Sequence, residues 1–122
     1  AFRQSVSGGM TIGASGMEYD RGRLRVWPDW GSSGIWYPQA GSEAGQGPVS
    51  MASLEALGLP DWLAERFARW IEWYDDYLPE RPDAFPWEKF KAEGQALAFE
   101  LARFVGDEYQ VEYDGRKVIV LP

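Results

Sequence analysis

The 122-residue chain is 45% hydrophobic and 16% aromatic, with seven tryptophans, so it is long enough for one core and too short for two ordinary domains. It contains no histidine and no cysteine, which excludes Ser-His-Asp triads, Cys-His pairs, disulfides and ordinary zinc sites. The formal charge of −7 repels phosphate backbones and attracts basic proteins, so a protein partner is expected and nucleic acid is not.

That charge is uneven. Residues 1–59 hold five acids against four basic residues, and residues 60–122 hold fourteen against eight. A surface of this kind either steers a basic partner or simply keeps the protein soluble. No run of about 18 apolar residues occurs, so no membrane span is expected, and the absence of cysteine fits a cytoplasmic location.

Residues 1–16, with Ser7-Gly8-Gly9 and Gly13-Ala14-Ser15-Gly16, have linker composition and read as a flexible arm or an expression remnant. Residues 17–122 read as a single α+β domain. Arg23-Leu24-Arg25-Val26-Trp27 alternates at the two-residue period of a half-buried strand, and Pro28 ends it. A structured loop, Asp29 to Ser33, leads to a second β-prone run, Gly34-Ile35-Trp36-Tyr37. Pro38 to Ser50, with Gly41, Gly45, Gly47 and Pro48, follows neither period and reads as an exposed connection able to gate a surface.

A helix is predicted from Pro60 to Leu78, with Pro60 at its start, Asp61 and Glu65 complementing the positive end, and Pro79 closing it. At about 100° per residue, Leu63, Phe67, Trp70, Ile71, Tyr74 and Leu78 share one apolar stripe. Asp61, Glu65, Glu72, Asp75 and Asp76 lie opposite, while Trp62, Trp73 and Tyr77 form a flank beside Arg66 and Arg69. That flank is either a second packing contact or a recognition surface. A second helix is predicted from Pro86 to Val105, with Trp87, Phe90, Leu97, Leu101 and Phe104 on its apolar face, Gly94 allowing close approach and Gly106 as its stop. Tyr109 to Tyr113, Asp114-Gly115 and Arg116 to Leu121 form a hairpin signature, because Asp-Gly tolerates the positive φ angles of a type I′ turn. The order ββααββ predicts an α+β fold in which N- and C-terminal hairpins form an antiparallel sheet, with the two central helices packed on one face.

Chemistry beyond binding finds little support. Ser32 and Ser33, in Gly31-Ser32-Ser33-Gly34, lack a general base and read as turn residues. The densest carboxylates, Glu72, Asp75, Asp76 and Glu80, do not follow the calcium-loop pattern, and no glycine run is followed by Lys-Ser or Lys-Thr. No catalytic residue, metal site or cofactor is expected.

Three segments carry a resemblance: Arg25-Val26-Trp27-Pro28-Asp29-Trp30-Gly31-Ser32-Ser33-Gly34-Ile35-Trp36, then Trp70-Ile71-Glu72-Trp73-Tyr74-Asp75, then Glu93-Gly94-Gln95-Ala96-Leu97-Ala98 with the turn Val105 to Tyr109. Over residues 23–121 the chain resembles short acidic bacterial proteins that are similar, in size and α+β layout, to immunity proteins neutralising toxins delivered between bacteria. The resemblance implies a non-enzymatic inhibitor whose partner is a cognate toxin, and it supplies no site residues. On the residues themselves, Trp62, Trp73 and Tyr77 are candidate anchors, while Glu72, Asp75, Asp76 and Glu80 are candidates to steer a basic toxin region and pair with its Lys or Arg side chains. The alternative is a small-molecule or carbohydrate module with Trp27, Asp29, Trp30 and Trp36 around a pocket. A hydrolase using Asp29 with Glu72 or Asp75 is a third reading, for which no spacing fixes the carboxylate separation.

Overall fold

Local chemistry sets the short strands at both ends of the fold, and long-range pairing decides how they join. The computed structural model describes residues 18–77 and 85–120. The arm at 1–16, the expected helix end at Leu78 and Pro79, the acid Glu80 and the end of the last strand at Leu121 fall outside those residues, as does the side chain of Tyr77.

Strand β1 is Arg23–Val26, β2 is Ile35–Pro38 and β3 is Val49–Met51; they are followed by helix α1, Asp61–Tyr77, helix α2, Trp87–Val105, a short 3-10 turn, then β4, Gln110–Tyr113, and β5, Arg116–Lys117. They form one five-stranded sheet in the order β3-β2-β1-β4-β5. The α+β class holds, with two corrections to the expected layout. First, the order is βββααββ: Val49–Met51, within and just beyond the segment read as an exposed connection, adds an edge strand antiparallel to β2. Three residues are too few to show a period, so β2 supplies what the sequence pattern lacks. Second, the sheet is mixed. β1 and β4 run parallel at its centre, with Leu24 opposite Val111 and Arg25 opposite Glu112. Parallel neighbours require a crossover, and the helix pair between β3 and β4 forms it.

The alternation read in β1 places Leu24 and Val26 on the core face with Ile35, Tyr37, Val111 and Tyr113, all buried. Against them α1 presents Leu63, Phe67, Trp70 and Ile71, each at most 4% exposed. In α2 the buried stripe is Phe90, Gly94, Leu97, Ala98, Leu101 and Val105. Phe104 and Trp87, expected on that face, are instead 47% and 43% exposed; Trp87, at the first residue of α2, keeps one side against Phe85 and Phe90. Gly106, at φ 58°, follows the helix, as its position predicts. Asp114 and Gly115, at φ 52° and 77°, make the tight turn expected of that pair. None of the helices among the described residues is long and apolar enough to cross a membrane.

The opposite sheet face is also covered. Arg25 and Glu112, buried neighbours on β1 and β4, pair at 2.7 Å, and Arg23 joins Glu112 at 3.0 Å. Arg25 also donates to the carbonyls of Gln46, Gly47 and Glu43, and the Gly45 N–H donates to Glu112. The glycine-rich connection is thus strapped over a buried ion pair. Its expected freedom to gate a surface is not seen.

Tyr113, between the sheet and α2, has its hydroxyl pushed up to about 12, first by burial and then by Asp114. A raised acid favours the fold in its neutral form, so this contribution is complete below the unfolded value of about 10 and disappears as pH rises toward the folded one. An ultraviolet tyrosinate titration should show a late ionising step that Tyr113→Phe removes.

Candidate partner-binding surface

The loop between β1 and β2 is fixed by its own polar residues. Asp29 accepts from the Trp30 N–H through Oδ1 and, through its carbonyl, from the backbone N–H and side-chain hydroxyl of Ser32. Ser33 donates to Ala52 O at 2.6 Å. Both serine hydroxyls therefore shape the turn, as their setting between Gly31 and Gly34 suggested. The Trp27 N–H closes the loop on Gly34 O at 3.0 Å.

The tip of this loop lies on α1. Gly31 N–H donates to both oxygens of Asp75, each at 3.1 Å, and the Trp30 ring lies 5.0 Å from that of Tyr74 at a 53° tilt. Burial raises the Tyr74 hydroxyl above its ordinary value, and Asp29 and Asp75 raise it further, so both carboxylates act on the same ring. Two groups of candidates that sequence reasoning kept apart, Asp29 with Trp30 and the acids of α1, therefore belong to one surface. Trp30 is 51% exposed. Glu72 and Asp76 are exposed and Asp75 is half-buried. Neither Glu72 nor Asp76 makes an ion pair among the described residues.

The aromatic flank of α1 divides. Trp62 is 52% exposed. Trp73 is half-buried, with its ring 5.8 Å from Phe85 and 5.6 Å from Phe90, beside the Arg66–Glu93 pair that joins the helices at 2.9 Å. Glu80 and the Tyr77 side chain lie outside the described residues. Tyr74, counted with the core stripe, is the surface residue that sequence reasoning missed. The signal was its place directly before Asp75.

The four residues of the alternative ligand site have different neighbours among the described residues. Trp27, 49% exposed, lines a cavity of about 550 Å³ with Arg25, residues of the strap, Asp114 and Gly115. Trp36 donates its indole N–H to Trp27 O at 2.9 Å, and Asp29 and Trp30 sit at the helix side.

No curated protein and no solved structure matches this chain. A family model, described as Serratia CdiI immunity protein-like, matches residues 22–116, a span that takes in strands β1 to β4, the first residue of β5, both helices and the loop–helix surface. The chain belongs to the Serratia CdiI immunity protein-like family.

Proposed function

We propose that this chain neutralises a bacterial toxin by binding it through the surface shared by the β1–β2 loop and the C-terminal half of α1, so covering a basic active or substrate-binding region. Family membership supports a toxin-neutralising role in general and an inhibitor rather than an enzyme. The observation that carries the choice of surface is the Trp30 indole, half exposed yet seated on Tyr74, next to the carboxylates of Glu72 and Asp76, which make no ion pair among the described residues. Rigid aromatics that bury area at low entropic cost are the residues that usually hold interfaces, while surrounding charge sets encounter rate and selectivity. Trp30 is the anchor. Glu72 and Asp76 steer a Lys- or Arg-bearing surface, Trp62 extends the contact along α1, and Trp73 buttresses it from beneath through Phe85 and Phe90. Tyr77 and Glu80, which follow in the sequence, are further candidates for the same contact.

The reading is tested by isolating the toxin partner through co-purification from the native host and measuring its binding kinetics. Trp30→Ala should speed dissociation about thirtyfold or more, the effect of losing an anchor worth about 2 kcal/mol. Glu72→Gln with Asp76→Asn should instead slow association and flatten its dependence on salt. A Trp30→Ala complex that dissociates at the wild-type rate would rule out this surface.

A further inference from the structure

We infer that Asp75 is a positioning residue: its carboxylate clamps the Gly31 amide and thereby presents the Trp30 indole to the partner. The inference rests on the binding surface proposed above. Asp75 has the composition of a steering charge, and on α1 it stands beside Glu72 and Asp76. Its geometry differs from theirs. Both of its oxygens accept the same backbone N–H, at 3.1 Å each, whereas Glu72 and Asp76 are exposed and make no ion pair among the described residues. Among the described residues this is the one hydrogen-bonded link between the β1–β2 loop and α1.

Gly31 holds φ at 60°, and a side chain there would meet nothing within 4 Å. The Gly31 position itself therefore faces open space, and the Trp30–Tyr74 ring contact is the other tie at the loop tip. Trp30 is attached on both sides: Asp29 Oδ1 accepts its N–H at 2.8 Å, and the next amide is the one Asp75 holds. With the backbone pinned at Gly31, the indole keeps its place on Tyr74 while leaving half of its surface free. Release of the clamp leaves the ring contact as the remaining tie between loop tip and helix. A partner must then order the loop as it binds, and that cost appears mainly in the lifetime of the complex.

The test uses Asp75→Ala, Trp30→Ala and the double variant in the full chain, with folding checked by urea midpoints. In the free protein, Asp75→Ala should speed Gly31 amide exchange at least about tenfold, the change expected when a hydrogen-bonded loop opens locally. With the toxin partner, once isolated from the native host, it should speed dissociation about three- to tenfold, and that increment should vanish in the Trp30→Ala background, because a clamp without its anchor has nothing to present. Unchanged Gly31 exchange, or dissociation effects that multiply in the double variant, would overturn the positioning role while leaving the surface standing. A Trp30→Ala variant that dissociates normally would overturn the proposed function and the positioning role together.

Discussion

Glu112→Ala is expected to destabilise the fold by about 3–5 kcal/mol, the usual cost of removing one partner from a buried ion pair. The carboxylate is 1% exposed and Arg25 is 6% exposed, so the substitution leaves a guanidinium under the strap facing only backbone carbonyls. Arg23 and the Gly45 N–H lose their acceptor at the same time. A typical domain holds only about 5–15 kcal/mol in reserve, so the midpoint of urea unfolding should move far. Replacing both charges, as Arg25→Met with Glu112→Leu, should cost less than Glu112→Ala alone, because the penalty lies in the orphaned charge more than in the lost attraction. An equal or greater cost for the double variant would show that the strap depends on the pair itself.

The same residue sets an acid limit. Burial alone would push the Glu112 carboxyl up, but hydrogen bonds from Arg25, Arg23 and the Gly45 N–H, with the charge of Arg23, outweigh it and hold the group below its ordinary value. A depressed carboxylate stabilises the fold fully above its unfolded pKa of about 4.3, and that contribution is lost as pH falls through the lower folded value. Glu112→Gln should therefore flatten the pH dependence of stability in the acid range and leave it unchanged near neutrality.

Gly94→Ala is expected to destabilise the protein by about 1–3 kcal/mol, against the helix preference of about 1 kcal/mol that favours alanine over glycine. A methyl group at this position would press on the Tyr113 hydroxyl and come within 2.7 Å of both Tyr113 Cζ and Trp70 Cζ2. Neither ring can yield freely. Trp70 is 1% exposed, stacks 4.8 Å from Phe90 and donates its indole N–H to Phe90 O, while Tyr113 donates to Lys91 O. Overpacking should therefore win over helix propensity. Thermal unfolding of Gly94→Ala in wild-type and Tyr113→Phe backgrounds separates the contributions: loss of the hydroxyl should relieve part of the penalty. A more stable Gly94→Ala protein would mean that α2 can move away from the sheet without cost.

Sequence determined the features whose causes lie within a few residues. The 17 residues of α1 repeat their apolar positions often enough to fix both the helix and its buried stripe. Asp114-Gly115 sets its turn through φ angles that few other pairs adopt easily. The aromatic and acidic character of the proposed binding surface was also visible, in Trp30, Glu72, Asp75 and Asp76. Tertiary structure decided what these features meet. The alternation of β1 marked Arg25 as polar, yet a strap about 20 residues further along covers it and Glu112, 87 positions away, neutralises it. Asp75 looked like one more solvent charge until Gly31, 44 positions away, was found in its grasp. Side-chain periodicity records the polarity of each face. Which element covers that face, and whether β4 enters parallel or antiparallel, depends on contacts between distant segments that no local pattern encodes.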